Sequence, residues 1–330
     1  NNAISKPREL DNDLINAYLA RRALDFLVGF NLSPILWRKL PGSKSAGRVQ
    51  SVALRIICER ENEIELFKPE EYWSIDVLLK SKDNQVFKST LKEINDKKLK
   101  KLDIGTEVIT KEYVDVINSK TYKVDELKSK EVKRNPYAPF TTSTLQQDAG
   151  NKFGYSAAST MGKAQKLYQS GFITYMRTDS IALSSDAISQ CREYIKNNFG
   201  DNYLPNEPRV YKSKAKNTQE AHEAIRPTNI NNSPEKIKSK IGQEEFKLYK
   251  LIWNRTVASQ MNSAIFKQIT ISIKANDNSV YLQSTGSSPV FDGMLKVYNY
   301  EKKSNVKEDE TNIIPNINPG DDVEIDKIID

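Results

Sequence analysis

The chain has very few of the residues that build metal sites and cross-links: one histidine and two cysteines in 330 residues. Cys58 and Cys191 lie far apart in helix-like segments, so the sequence predicts neither a disulfide framework nor a thiolate cluster, and a reducing cytoplasm is the expected compartment. One imidazole without a second histidine or cysteine cannot build a zinc site, and no metal is assigned to this chain. Because no run of about 18 apolar residues occurs, no membrane-spanning helix is expected.

The start of the chain lacks an initiator methionine, an apolar signal core and a cleavage pattern, which indicates an internal piece of a longer protein. Positive charge is in excess, and the net charge is +7. That balance suits a polyanionic partner, although an ordinary basic surface would give the same number. With 38% hydrophobic and 28% charged residues, the composition is that of a folded protein, and the length predicts more than one domain.

Helical spacing of apolar residues dominates the first block, residues 6–66. Asp11 or Asp13 is expected to cap a first helix that ends at Gly29, and a second helix is predicted at residues 45–64. The apolar face of the second helix, expected to be buried, consists of Val49, Val52, Ala53, Ile56 and Ile57.

Strand-like alternation flanks a central helical block. Strands are predicted at residues 73–77, 86–94, 122–132, 266–274, 280–283 and 323–328. Helices are predicted at residues 142–150, 157–169, 185–198 and 244–260, with a short strand at 172–176 among them. Strands on either side of an insertion can share one sheet, so we expect a helical domain inserted into a β domain. The polar runs 98–101 and 302–311 are expected to be solvated loops.

The segment GFITYMRTDS places a phenol two residues before a guanidinium. On a strand, Tyr175 and Arg177 would point to the same face. An adjacent arginine favours the ionised form of a tyrosine and holds the phosphate that it attacks, which suits phosphoryl transfer. An edge strand with a surface Tyr–Arg stack is the structural alternative.

The single histidine, His222, lies among polar residues on a short helix that is predicted to end at Pro227. These neighbours argue against an apolar-core histidine, and proton transfer or phosphate binding remain as functional roles. Glu220 and Glu223 could orient the ring. A capping or surface histidine is the structural alternative.

A small-residue loop, GSKSAGR, precedes the second helix. Backbone N–H groups at the helix start, together with Lys44 and Arg48, could cradle a DNA phosphate. The spacing does not match a nucleotide-binding P-loop, and an ordinary helix start would give the same pattern. Arg21 and Arg22 add positive charge to the first helix, where Asp25 could pair with either of them.

Four stretches occur in the order found in type IA DNA topoisomerases, and the chain resembles that family, most closely its bacterial topoisomerase I branch. They are SAGRVQS at 45–51, PFTTSTLQQ at 139–147, TYMRTDS at 174–180 and EAHEAIRP at 220–227. The resemblance covers nearly the whole chain and weakens only at residues 81–133 and 276–330.

The resemblance implies an α+β multidomain fold with a helical gate domain, a β-strand arch, and a winged-helix-like catalytic domain inserted in the arch. The partial helical domain, which carries the DNA groove, would be residues 1–66. The arch would be residues 67–133 and 262–330, and the catalytic domain residues 134–261.

The resemblance also implies the chemistry. Tyr175 would attack a single-strand phosphate to form a 5′-phosphotyrosine and a free 3′-hydroxyl, which reseals the break after strand passage and so relaxes negative supercoils without ATP. Arg177 would hold the scissile phosphate, and His222 matches the active-site histidine of the family. The groove for single-stranded DNA would be lined by Arg21, Arg22, Asp25, Ser43, Lys44, Ser45, Arg48 and Gln50.

In the family, a toprim domain supplies the acidic metal cluster, and it would precede Asn1. Mg²⁺ is therefore expected in the intact enzyme, no cofactor is expected in this chain, and the chain alone is expected to be inactive. The expected partners are single-stranded and negatively supercoiled DNA, without membrane contact, for a monomer associated with the nucleoid.

Two other functions would use some of the same residue types. A non-catalytic single-stranded DNA-binding module remains the alternative, because a basic surface would serve it equally. A tyrosine recombinase or type IB topoisomerase is disfavoured, because those sites use several dispersed arginines and a tyrosine near the C-terminal end.

Overall fold

The computed structural model of the protein describes residues 9–211, 223–298 and 312–330. The chain divides into two compact units, Asn1–Glu71 and Tyr72–Asp330. No helix in these described ranges is long and apolar enough to cross a membrane. The expected loop at 302–311 lies outside them.

From residue 9 onward, the first unit contains two helices, α1 (Asn12–Lys39) and α2 (Arg48–Leu66). Asp11 caps α1 as expected, because its carboxylate accepts the backbone N–H of Leu14 at 3.0 Å. The prediction that α1 ends at Gly29 is wrong, since the helix continues through Gly29 and Pro34. A helical glycine costs only about 1 kcal/mol relative to alanine, and a long helix absorbs that cost.

The expected burial of the α2 apolar face is also wrong. No residue of α2 is buried, and Val49 and Ile57 are 72% and 64% exposed. The amphipathic pattern was read correctly, but two helices offer no second layer against which such a face can pack.

In its described residues, the second unit has seven strands in one antiparallel sheet. They are β1 (Asp76–Lys80), β2 (Val86–Ile94), β3 (Lys97–Lys98), β4 (Tyr122–Arg134), β5 (Ala264–Ala275), β6 (Val280–Phe291) and β7 (Asp322–Ile329). The order is β1-β7-β4-β5-β6-β2-β3, and β1 also pairs with β2. Six strands therefore form a closed ring, with β3 attached to β2.

The helical part is inserted between β4 and β5, which pair from Tyr122 opposite Ala275 to Arg134 opposite Ala264. The predicted insertion into a shared sheet is confirmed. One element was missed: α3 (Glu107–Asn118) follows β3 and is capped by Thr106. Its buried residues Thr110 and Ile117 lie seven apart, which is helical spacing within a region read as mainly extended.

The inserted part has five helices in the residues that the structure describes: α4 (Thr142–Phe153), α5 (Ala157–Gln169), α6 (Ser185–Phe199), the short α7 (Pro234–Ile237) and α8 (Gln243–Ser259). Hydroxyls of Thr141, Ser156 and Ser184 cap the first three. The helices predicted at 142–150, 157–169, 185–198 and 244–260 are thus confirmed, with small shifts at their ends.

Two separate hydrophobic cores stabilise the second unit. Leu248, Tyr249 and Ile252 of α8 lie at the centre of the helical core. Val77, Ile271 and Leu282 belong to a distinct core that is built from sheet residues. The domain boundaries at 133/134 and 261/262, between the expected arch and the expected catalytic domain, remain predictions.

The sheet core can be tested with two valines on β6. Val280 is fully buried, whereas Val290 is 59% exposed. Val280→Ala should lower the free energy of unfolding by about 2 kcal/mol, because two buried methyl groups and their packing are lost. Val290→Ala, measured by the same urea titration followed by circular dichroism, should change it by less than about 0.5 kcal/mol. Equal effects would contradict the assigned register.

Candidate active site

The segment around Tyr175 is extended but is not the strand predicted at 172–176. Only Ile173 makes a bridge, to Pro227. Side-chain hydroxyls, in place of a continuous ladder, satisfy the backbone on both sides of the tyrosine. The predicted regular strand is therefore wrong, because an alternating pattern shows that the chain is extended but not that it pairs with a neighbouring strand.

Thr142, the first residue of α4, holds the C-terminal side of the segment. Its Oγ1 donates to the carbonyl of Met176 at 2.8 Å and accepts the N–H of Thr178 at 2.9 Å. Its own N–H donates to the carbonyl of Thr178 at 2.9 Å. The PFTTSTLQQ stretch therefore helps to fix the tyrosine segment.

Residues 224–228 hold the N-terminal side. Thr174 donates its N–H to the carbonyl of Arg226 at 2.9 Å and its hydroxyl to the carbonyl of Ala224 at 2.7 Å. Thr228 donates its N–H to the carbonyl of Phe172 at 3.0 Å. Three of the stretches that resemble the topoisomerases thus meet at one place in the fold.

Exposure alternates along the segment. Met176, Thr178 and Ser180 are buried, while Tyr175 and Arg177 are exposed. Because alternate residues of an extended chain point to opposite sides, the phenol and the guanidinium both face solvent. The alternation in TYMRTDS thus has a structural reason. The buried residues anchor the segment, and the residues between them are exposed to solvent.

Tyr175 is 51% exposed. The ring of Tyr168, on α5, meets it edge-on with 5.3 Å between centroids. Within the described ranges, the Tyr175 hydroxyl makes no hydrogen bond. The ring is therefore supported on one side while its oxygen stays accessible.

Arg177 is unusual among the arginines of the second unit. Considering described residues only, its side chain has no hydrogen bond, ion pair or ring contact. The other arginines of this unit are engaged, namely Arg134 with Phe266, Arg192 with Asn206, Arg209 with Met261 and Ser263, Arg226 with Glu223, and Arg255 with Ala138. An unpaired, exposed guanidinium next to a phenol is suited to bind an anion.

His222 and Glu220 lie outside the described residues. The short helix predicted to end at Pro227 is wrong for the part that follows His222, since residues 223–226 are not helical. Their backbone instead bonds to the strand-like tyrosine segment and to Phe140. This pairing takes the hydrogen-bonding groups that a helix would need.

Sequence reasoning missed the ion pair between Glu223 and Arg226. Nε and Nη2 of Arg226 donate to the two carboxylate oxygens of Glu223 at 2.6 and 3.0 Å. The Ser184 N–H donates to the same carboxylate at 2.8 Å. Opposite charges three residues apart were the available signal. The pair joins the start of α6 to the chain that holds Thr174.

This environment changes the pKa of Glu223. Its partial burial alone would raise the pKa, but the hydrogen bonds from Arg226 and from the Ser184 backbone outweigh it and lower the pKa below the ordinary range. The carboxylate is thus held in its ionised form.

In the first unit, Arg48 forms a bidentate ion pair with Asp25. Nε and Nη2 of Arg48 lie 2.7 and 3.1 Å from the two oxygens. The hydrogen bond from Arg48 lowers the pKa of Asp25, and the bond to Asp25 raises that of Arg48. The pair was expected between Asp25 and Arg21 or Arg22, so its partner is corrected to Arg48. Arg48 is the partner because it lies at the start of the second helix, where two N–H groups of its guanidinium can face both carboxylate oxygens of Asp25.

The loop before α2 is fixed by its own polar groups. Gln50 donates to the Ser45 hydroxyl at 3.1 Å, and Trp37 donates its indole N–H to the carbonyl of Lys44 at 2.6 Å. The Ala46 N–H donates to Ser33 at 3.0 Å. The hydroxyl of Ser43 is buried with no partner among the described residues.

Arg21, Arg22 and Lys44 are exposed, and within residues 9–71 their side chains make no hydrogen bond or ion pair. The described residues contain no group of three or more histidines, cysteines or acidic residues that could hold a metal ion. The predicted groove residues of this unit are therefore a set of free cations together with one fixed Arg48–Asp25 pair.

The Glu223–Arg226 pair predicts a pH-dependent stability. Since the folded-state pKa is depressed, the stabilisation is present above the ordinary carboxyl pKa and is lost as the pH falls through the folded value. Glu223→Gln should cost about 1 kcal/mol at pH 7, and its difference from wild type should narrow below about pH 4.5. Urea unfolding across this range measures it. Glu193→Gln on α6, an exposed control, should show little difference at any pH.

Comparison with known proteins places these observations in a family. The family described as DNA topoisomerase matches residues 9–329. DNA topoisomerase 1 of Rickettsia felis is 50% identical over 336 residues, which is 99% of this chain and 43% of that protein. DNA topoisomerase 1 of Zymomonas mobilis is 48% identical over 306 residues, 93% of this chain and 25% of that protein.

The fold comparison agrees. The structure of full-length topoisomerase I from Thermotoga maritima matches with a TM-score of 0.76 and 34% identity, covering 99% of this chain and 52% of that chain. This confirms the α+β fold expected from the resemblance. The chain spans less than half the length of the two relatives named above. It belongs to the type IA DNA topoisomerase family.

Proposed function

We propose that this chain supplies the tyrosine nucleophile, and part of the single-strand binding surface, of a complete protein that relaxes negatively supercoiled DNA without ATP. The observation that carries the proposal is the display of Tyr175 and Arg177 on one exposed side of a segment fixed at both ends, with no partner for Arg177 among the described residues. A fixed nucleophile beside an anion-binding group is what phosphoryl transfer requires.

The proposed step is a transesterification. Oη of Tyr175 attacks a backbone phosphorus, the bond to the 3′-oxygen breaks, the phenol loses its proton, and the leaving oxygen gains one. The products are a 5′-phosphotyrosine and a 3′-hydroxyl. Because one phosphodiester replaces another, the reverse reaction reseals the strand after passage of another strand without ATP.

Arg177 is proposed to hold the scissile phosphate. Negative charge grows on the non-bridging oxygens as the phosphorus is attacked. The Arg177 guanidinium, to which no described carboxylate is bonded, can stabilise that charge. His222 is proposed to move a proton or bind phosphate. The support for this role is its position next to Glu223, whose carboxylate is anchored to Arg226 and Ser184.

The first unit is proposed to bind the single strand upstream of the cleavage point. Arg21, Arg22 and Lys44 offer free charges for phosphates. The Arg48–Asp25 pair and the Ser45–Gln50 hydrogen bond present oriented polar groups for a nucleotide. Ser43 is included in this proposal by its place in the loop before α2, since its hydroxyl is buried.

Mg²⁺ is proposed to bind elsewhere in the complete protein, in a toprim domain. The described residues do not fit such a site, because they contain no cluster of potential metal ligands. We further propose a monomer that works in the cytoplasm on nucleoid DNA. The isolated chain is then a DNA-binding piece without cleavage activity.

The nucleophile can be tested in the complete protein. Tyr175→Phe should abolish the covalent adduct with labelled single-stranded DNA on a denaturing gel, and should leave binding within about threefold, because only one oxygen is removed. Tyr168→Phe is the matched control, since its ring neighbours Tyr175, and it should retain the adduct. An adduct that persists in Tyr175→Phe would rule out this nucleophile.

Arg177 should matter for the reaction more than for binding. Arg177→Ala should lower the cleavage rate by roughly 10²–10³-fold, the size of effect seen when one charge-stabilising group is removed. Arg177→Lys should recover part of the rate because the charge returns without the bidentate geometry. Single-turnover cleavage and filter binding separate the two effects. A loss of binding equal to the loss of rate would assign Arg177 to affinity alone.

A further inference from the structure

The second unit contains a cavity of about 630 Å³ among its helices. It lies between the C-terminal ends of α4 and α6, one face of α8, and the turn at Gly293–Lys296. None of its lining residues belongs to the segments that hold Tyr175. The volume is in the range of small-ligand sites, and it exceeds what one nucleotide needs.

Aromatic side chains form much of the wall. Trp253 is fixed, because its indole N–H donates to the carbonyl of Ile230 at 2.9 Å. Tyr194 meets the Trp253 ring edge-on, with 5.2 Å between centroids. Phe199 and Phe246 are partly exposed to the cavity. Trp253 itself is buried and supports the wall from behind, whereas Tyr194, Phe199 and Phe246 are half-buried rings of the kind on which bases stack.

The charges in the wall have one dominant sign. Four lysines line the cavity and one acid, Glu235, opposes them. Lys247 pairs with Glu244, Lys296 lies 3.8 Å from Asp292, and Lys152 lies over the Tyr298 ring. Lys250 is exposed and, among the described residues, has no partner. The cavity therefore offers a free cation at the edge of an aromatic wall.

We propose that this cavity binds a nucleotide of single-stranded DNA, with the base against the aromatic wall and a phosphate on Lys250. This second site extends the proposed function and rests on it for the identity of the polyanion. Thr142 and Lys152 are ten residues apart on one helix, so the cavity lies roughly 15 Å along α4 from the tyrosine segment. One strand of several nucleotides spans that distance.

A charge reversal tests the phosphate contact. Fluorescence anisotropy with labelled (dT)12 should show at least a threefold weaker Kd for Lys250→Glu. The slope of log Kd against log salt should fall by about 0.7, the value for one single-strand phosphate contact. Lys240→Glu is the matched control, because Lys240 is an exposed lysine of the same unit that does not line the cavity. It should change Kd by less than 1.5-fold.

Photocross-linking locates the base. A (dT)12 probe that contains 5-iododeoxyuridine, irradiated with the full chain and digested, should attach to the peptides that carry Phe246, Phe199 or Tyr194. The same cross-links should appear in Tyr175→Phe, which separates this site from the cleavage site. Tyr175→Phe removes the phosphotyrosine adduct of the complete protein, and that result tests the proposed function and not this second site.

Two results would overturn the proposal. Equal affinities of Lys250→Glu and Lys240→Glu for (dT)12 would show that no phosphate binds at Lys250. The cavity would then be a candidate contact site for another part of the complete protein. Cross-links confined to the first unit and to residues 172–180 would show that the strand does not enter it.

Discussion

Three threonine hydroxyls govern the geometry of the candidate site. Thr142 fastens Met176 and Thr178 to the start of α4, while Thr174 and Thr228 fasten the other side to residues 224–228 and Gly171. Each bond satisfies a backbone group that an isolated extended segment would leave unpaired. Because the segment is fixed on both sides, Tyr175 and Arg177 can be exposed to solvent while their backbone is held in one position.

The arginines of the second unit differ in whether they have a bonding partner among the described residues, and this difference indicates their roles. In the second unit the structural arginines are tied to carbonyls, carboxylates or rings, as Arg226 is to Glu223 and Arg255 is to Ala138. Arg177 is not. A guanidinium that is already paired must break that bond before it can bind phosphate, so the absence of a described partner keeps Arg177 ready for an incoming anion.

Local patterns predicted much of this fold. The helix at 157–169 and the strand at 86–94 match the structure at both ends, because each has a clear period and clear boundaries. The order of the blocks predicted that strands on the two sides of the insertion share a sheet, and the structure adds that β4 pairs directly with β5. Exposure of Tyr175 and Arg177 on one side followed from a spacing of two, although the regular strand that suggested it does not exist.

What failed had physical causes outside the local sequence. Gly29 and Pro34 normally end helices, but the turns on either side of them propagate α1 past both. The α2 pattern identified an apolar face but not whether a partner for it is present. The Glu223–Arg226 pair was missed because Glu223 was assigned to orient His222, although its spacing of three residues from Arg226 was the available signal.

The closed ring of strands has a consequence for how this protein family can change. Arg134 and Ala264, the last and first sheet residues around the insertion, are register partners and hence about 5 Å apart. A two-residue turn could bridge that gap. The β4–β5 ladder therefore closes where the chain leaves and re-enters the sheet. Residues after β6 also hold the inserted helices, since Tyr203 donates to Asp292 at 2.7 Å and Tyr298 packs in the helical core. A change of length within the insertion can therefore leave the register of β4 and β5 unchanged, provided that the contacts to Asp292 and Tyr298 are kept.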